Sequence, residues 1–244
     1  MRSTKGETRM RVAVMSDIHG FSLALDRVID DVETQGPFDH VIVAGDLCEG
    51  GPAPNEVLQR LQRDAFPCVM GNTDRDIAAG TRRSPRANWT RERIGAKGLD
   101  FLAGLPFQIR VKPLTNLADS TDLLVIHANP HDLDRPIQPD AADTEIRELI
   151  GEVPASAIAF GHIHIPSIRL IDGRLLVDVS SVGKPKDGDL RSAWGDFTWN
   201  DARSSWDAVI RRVPYPIEET IEQILLSGIP RAKKLIKSLL SASY

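Results

Sequence analysis

Seven residues at the ends of short apolar runs carry side chains able to bind a metal: Asp17, His19, Asp46, Asn72, His127, His162 and His164. The runs close on Asp17-Ile18-His19, Gly45-Asp46, Gly71-Asn72, His127 and Gly161-His162-Ile163-His164. Together they supply enough oxygen and nitrogen donors for two cations that share one carboxylate. Neutral imidazoles, an amide oxygen and two carboxylates suit Mn, Fe, Zn or Ni better than Ca or Mg. Two divalent cations against two aspartates and a hydroxide leave a residual positive charge, which attracts a phosphate anion. Ions about 3.5–4 Å apart can hold a bridging water, lower its pKa towards neutrality and stabilise both the attacking and the departing oxygen of an in-line displacement. The chemistry indicated is phosphoester hydrolysis with no phosphoenzyme.

Taken singly, each position has a plainer explanation. A histidine at a strand end is more often structural than a ligand, and an isolated Gly-Asp or Gly-Asn is simply a turn. The conjunction carries the assignment: four of the six histidines stand at run ends, beside two aspartates and one asparagine. His40, which precedes its run, reads as structural, whereas His131 follows His127 by four residues and could reach a substrate. Asp46, Asn72 and His131 are therefore the catalytic candidates, and Asn72, Thr73 and Arg75 the candidates for substrate contact.

The elements that must hold these residues follow from periodicity. Arg11 to Ser16 is too short for a stable helix and reads as a strand buried on both faces. On an extended chain, residues two apart project to one side, so Asp17 and His19 would face the same ion, as would His162 and His164. Ser22 to Glu33 has helical spacing with Ser22 as N-cap. His40 to Ala44, a helix over Asn55 to Gln62, and a third strand over Pro67 to Met70 repeat the unit. Short links between them imply parallel strands, whose carboxyl ends are where ligands collect. Ser84 to Gly98 lacks clear periodicity and reads as a loop or short-helix insertion. Leu123 to Ile126 and Ala157 to Phe160 are buried strands, with a helix over Asp143 to Ile150 between them. Asp172-Gly173 marks a tight hairpin, and Ala193 to Trp199 and Asp207 to Val213 continue as antiparallel strands. Ile217 to Leu226 and Arg231 to Leu240 are two closing helices. Parallel strands followed by hairpins suggest two sheets packed face to face, with helices outside.

The remaining composition narrows the class. With 244 residues, 41% hydrophobic and 26% charged, the chain reads as one globular domain over 10–244 behind a disordered polar tail, 1–9. A formal net charge of −4 disfavours a nucleic-acid scaffold. The arginine run Arg82, Arg83, Arg86, Arg91 and Arg93 reads as a solvated face, since only Trp89 interleaves with it. Cys48 and Cys68 form no Cys-x-x-Cys pair, which fits a reducing cytoplasm. No run approaches the length of a membrane span and no signal peptide is evident. The partner expected is a small phosphoester, and a homo-oligomer is left open.

The ordered series Asp-x-His, Gly-Asp, Gly-Asn, His and Gly-His-x-His resembles the calcineurin-like metallophosphoesterases over nearly the whole chain. The segments Gly50 to Val57 and Ser181 to Gly188 are similar to small prokaryotic phosphodiesterases related to diadenosine tetraphosphatase. The resemblance implies an α/β fold, a four-layer α/β/β/α sandwich of two packed mixed sheets flanked by helices. It also implies one ion on Asp17, His19 and His164, a second on Asn72, His127 and His162, and Asp46 bridging them, manganese being among the metals that fit. The activity implied is that of a metal-dependent phosphoric ester hydrolase, a phosphodiesterase or phosphatase in which a metal-bridging hydroxide attacks. The alternatives are an inactive scaffold, which degraded ligands would favour, and a nuclease, which would want a basic groove or a capping domain. Two positions depart from the family pattern. Thr73 stands where many relatives have a histidine acid, and a threonine hydroxyl cannot be a general acid near pH 7. Asp178-Val179-Ser180-Ser181 replaces the usual Asn-Pro-Gly-Ser.

Overall fold

A computed structural model describes residues 10–113 and 118–243, so the tail 1–9 lies outside the described residues. The first half of the chain runs β1 (Arg11–Met15), α1 (Ser22–Gln35), β2 (His40–Val43), α2 (Pro54–Arg63), α3 (Asn72–Ala79), α4 (Pro85–Ala103) and β3 (Ile109–Val111). The second half runs β4 (Leu123–Val125), α5 (Asp143–Ile150), β5 (Ala157–Phe160), β6 (Ser167–Ile171), β7 (Arg174–Asp178), β8 (Ser192–Asn200), β9 (Ser205–Val213), α6 (Ile217–Ser227) and α7 (Ala232–Ser241).

Two mixed sheets result, ordered β2-β1-β8-β9 and β3-β4-β5-β7-β6. Alternation along the strands builds three apolar layers. Val12 and Val14 of β1 meet Leu123 and Val125 of β4 and Ala157 and Ala159 of β5 between the sheets. On the outer face of the first sheet, Ala13 and Met15 pack with Leu25, Val28 and Ile29 of α1, Leu58 and Leu61 of α2, and Leu235 of α7. On the outer face of the second, Leu124, Ile158 and Phe160 pack with Ile146, Leu149 and Ile150 of α5. Each fully buried Val, Leu, Ile, Met or Phe side chain contributes about 1.5–3 kcal/mol. The arrangement is the expected four-layer sandwich.

Several local expectations are corrected. The halves of the chain do not form separate parallel and antiparallel sheets: β8 pairs antiparallel with β1, and β7 pairs parallel with β5. The N-cap of α1 is Phe21 rather than Ser22 and has no side-chain cap. Phe21 is fully buried and anchors the turn, leaving the Ser22 hydroxyl to accept from Gln223 Nε2 at 3.1 Å. Pro67 to Met70 is not a full strand but meets β2 through a single bridge, Val43 to Cys68. Pro67 has no N–H to extend the ladder.

The 84–98 stretch belongs to a 19-residue helix, α4, capped by Ser84 Oγ, which accepts from Ala87 N at 3.1 Å. Gly95 (φ 61°, ψ −171°) breaks that helix and splits its apolar face, which conceals the period in the sequence. The Asp172-Gly173 hairpin is present, with φ of 51° and 78° at the two positions, the backbone a two-residue hairpin turn prefers.

Candidate metal centre

The carboxyl ends of β1, β2, β4 and β5 deliver Asp17, Asp46, His127 and His162 to one side of the sandwich. All seven predicted donors meet there. His164 Nε2 lies 3.1 Å and His19 Nε2 3.5 Å from Asp17 Oδ1, and the two ring nitrogens are 3.1 Å apart. In a second cluster His127 Nε2 lies 3.1 Å from Asn72 Oδ1 and 3.1 Å from His162 Nδ1. Asp46 reaches both, with Oδ2 at 3.6 Å from His19 Nε2 and Oδ1 at 3.5 Å from His127 Nε2.

The paired donors do not converge by lying on an extended chain. Beyond the strand ends, Asp17, His19, Asp46, His162 and His164 all adopt left-handed backbone, with φ between 52° and 78°. Such conformations cost about 1–3 kcal/mol each and persist only where the surroundings impose them. Here the loops are tied together. Asp17 N donates to Gly45 O at 3.0 Å and His19 N to Asp46 O at 2.9 Å. Gly161 accommodates Asp17 because a Cβ there would stand 2.3 Å from Asp17 Oδ2, and a Cβ on Gly71 would stand 2.2 Å from Asp46 Oδ1.

Each imidazole is oriented from outside. His19, His127 and His164 direct Nδ1 at the carbonyls of Glu49 (2.7 Å), Ala44 (2.9 Å) and Lys184 (2.6 Å), while His162 directs Nε2 at Asp134 O (2.9 Å). A carbonyl only accepts, so each outer nitrogen carries the proton and each inner one presents its lone pair. Asn72 Oδ1 and Asp17 Oδ1 add further acceptors, and Asp17 Oδ1 is buried without a hydrogen-bond partner among the described residues. Acceptors facing one another at hydrogen-bond distance need positive charge between them. Burial opposes a proton on His19 and His127, yet the neighbouring Asp17 and Asp46 carboxylates outweigh it and raise both. Burial keeps His162 and His164 below the usual range. Burial would also raise Asp17, but His164 and His19 hold its carboxyl well below the ordinary value. The donor set fits divalent cations: Asp17, His19 and His164 could hold one, and Asp17, Asp46 and His127 also come within ligand distance of one another.

The other predicted residues fall differently. Thr73 lines the cavity, with its Oγ1 buried and unpartnered among the described residues, and its N–H donates to Asp46 Oδ1 at 2.9 Å. Arg75 does not line the cavity. Its guanidinium binds Asp134 at 2.8 Å and Asp76 at 2.8 Å, so it steadies the loop whose carbonyl orients His162. His131 also stands outside, with Nε2 on Ile150 O at 3.2 Å at the end of α5. Its loop is closed by Asn129 Oδ1, which accepts from His131 N at 2.8 Å.

Three features escaped sequence reasoning. Asp74 joins the second and third loops, its carboxylate accepting from Asp46 N (2.8 Å), Leu47 N (2.9 Å) and Gly71 N (3.0 Å). Burial and the neighbouring Asp46 push its carboxyl up to about 7. Its signal was its place at the end of Gly-Asn-Thr-Asp, inside the first turn of α3. Ser180 takes left-handed backbone (φ 66°) where the family pattern has glycine, and Asp178 Oδ1 steadies it by accepting from Ser180 N at 2.7 Å. Finally, the cavity over the donors, about 270 Å³, is rimmed by Arg82, Arg86, Lys184 and Lys186. Burial, with the like charges of Lys186 and Arg86, draws the Lys184 ammonium down to about 8. The arginine run is thus only partly a solvated face: Arg91 and Arg93 donate to Ile77 O and Ser227 O, while Arg82 and Arg86 turn towards the cavity.

The chain belongs to the calcineurin-like phosphoesterase superfamily, whose domain profile matches residues 10–196. It is 27% identical over 244 aligned residues to the uncharacterized protein MJ0912 of Methanocaldococcus jannaschii, covering 90% of this chain and 93% of that protein. A symmetrical bis(5'-nucleosyl)-tetraphosphatase of Delftia acidovorans is 28% identical over 152 residues, which is 59% of this chain and 50% of that enzyme. The crystal structure of a metallophosphoesterase from Sphaerobacter thermophilus aligns with a TM-score of 0.75 at 23% identity, covering 96% of this chain and 99% of that one. At that identity the likeness is one of fold. No described helix is long and apolar enough to cross a membrane.

Proposed function

We propose that the protein is a binuclear, divalent-metal-dependent hydrolase of small phosphoesters, a phosphodiesterase or phosphatase working by in-line displacement. The observation that carries this reading is the inward convergence of four imidazole lone pairs, whose outer nitrogens are all committed to backbone carbonyls. Asp17, His19 and His164 would hold one ion, Asn72, His127 and His162 the other, and Asp46 would be shared. Manganese, iron, zinc and nickel match this donor set. When bound, such a pair supplies charge neutralisation for the phosphoryl oxygens and a water acidified towards neutrality.

The chain's own residues contribute binding and orientation. Arg82, Arg86, Lys184 and Lys186 would draw an anion to the cavity, where Asn72 and Thr73 would lie beside a bound phosphoryl group. Thr73 supplies no proton to the leaving group, which favours aryl esters and diesters over alkyl monoesters. None of the seven donor positions is degraded, which speaks against an inactive scaffold, and the free Cys48 and Cys68 suit a reducing cytoplasm. The test is reconstitution with Mn or Zn, followed by elemental analysis and assay on bis-p-nitrophenyl phosphate and p-nitrophenyl phosphate. Close to two ions per chain with turnover of the diester is expected. Absence of bound metal under all conditions overturns the reading.

A further inference from the structure

Beside the metal centre a second cavity, of about 210 Å³, opens between the starts of α4 and α7. Five cations line it, Arg82, Arg86, Lys184, Arg231 and Lys234, against one carboxylate, Glu49. That carboxylate already stands 3.8 Å from Arg82 Nε. Arg86 gives Nη2 to Pro230 O at 3.4 Å, while its Nε is buried with no hydrogen-bond partner among the described residues. Lys184 has no carboxylate at ion-pair distance among the described residues. Elsewhere several arginines are matched by carboxylates, as in Arg147 with Asp172 and Arg211 with Asp196.

Crowded like charges beside a buried unpaired donor are unfavourable until an anion joins them. The first turns of α4 and α7 both form part of the wall, and helix N-termini add positive potential and N–H donors. Among the described residues no aromatic ring lines the cavity, so they offer no platform for stacking a base. Its size and charge suit a phosphate. Glu49, Arg82, Arg86 and Lys184 line this cavity and the metal cavity alike, so one small molecule can occupy both.

We propose that this pocket seats a second phosphate of the substrate, so that the preferred substrates are small phosphoesters carrying a further phosphoryl group on the portion that is not attacked. The proposal rests on the hydrolase reading for the first phosphate, but its anion site is tested separately. Metal-loaded protein is compared with an Arg231→Gln, Lys234→Gln double variant. Both residues lie at the exposed mouth, outside the metal cavity, so folding and metal content should not change.

Calorimetry with inorganic tripolyphosphate and with inorganic phosphate, at fixed ionic strength, gives the readout. Tripolyphosphate should bind the variant at least about tenfold more weakly, the loss of charge-assisted hydrogen bonds, while phosphate affinity stays within about twofold. Equal tripolyphosphate affinity in the two proteins overturns the proposal. So does an equal loss for both anions, which would make the pocket a free-phosphate site. Turnover of bis-p-nitrophenyl phosphate by neither protein, with the tripolyphosphate difference intact, would count against the hydrolase reading and leave the pocket standing.

Discussion

The two donor clusters differ in charge and in support. Asp17, His19 and His164 are all buried, include a carboxylate of their own and are oriented by the carbonyls of Glu49 and Lys184. Asn72, His127 and His162 offer an amide in its place, and Asn72 and His162 are only partly buried. His162 depends on the carbonyl of Asp134, a residue held at the surface by Arg75. A formal negative charge in a dry pocket binds a cation more strongly than an amide dipole at a wet rim. The first cluster should therefore retain its ion and the second should exchange it, which places substrate access at the second.

The largest test of that contrast removes what the clusters share. Asp46→Asn should lose both ions and weaken affinity by more than the 10–100-fold typical of mutating a residue that only orients a ligand; two ions retained by the variant would contradict a bridging role. Next comes the asymmetry itself. His164→Ala should abolish the slowly exchanging ion, whereas Asn72→Ala should affect only the fast one, and graded chelation of the native protein should release metal in two phases. A single phase would make the clusters equivalent.

Thr73→His addresses the chemistry above them: restoring an acid should raise hydrolysis of alkyl monoesters relative to aryl ones by about 10²-fold. Equal rates for both ester types in the native protein would remove the premise. Smaller again is Arg75→Gln, which frees Asp134 and should loosen the second ion by roughly tenfold while leaving the first in place. The smallest effect lies away from both clusters. Ala65 holds left-handed backbone (φ 53°) at the exposed end of α2, so Ala65→Gly should stabilise the fold by about 1 kcal/mol in urea titrations without altering metal content.

What the sequence disclosed was governed by locality. The donors stood out because each follows a buried run, and burial of that run places its end at the sheet edge. The convergence of Asp17 with His19 was legible, though its cause is a pair of left-handed turns rather than extended alternation. The α4 helix was hidden by Gly95, since a break mid-helix divides one apolar stripe into two short ones. Arg75 and His131 looked available because their partners, Asp134 and the Ile150 carbonyl, lie far along the chain on a loop and at the end of α5. Arg82 and Arg86 looked solvated for the converse reason: nothing local reveals that Lys184 and Arg231 will crowd the same cavity.

The pairing of β1 with β8 bears on how the chain is made. Ala13 lies opposite Asp196 and Val14 opposite Gly195, so β1 is a central strand whose second neighbour, β8, is made only after β2 to β7. Synthesis at about 5–20 residues per second leaves one edge of β1 bare for many seconds, with its apolar side chains and unsatisfied backbone available to other nascent chains. Helices α1 and α2 can shelter one face of that strand early, but the open edge waits for β8. The same long-range pairing that brings the β8–β9 hairpin beside the donor-bearing strands should thus make folding slower than the helix content would suggest.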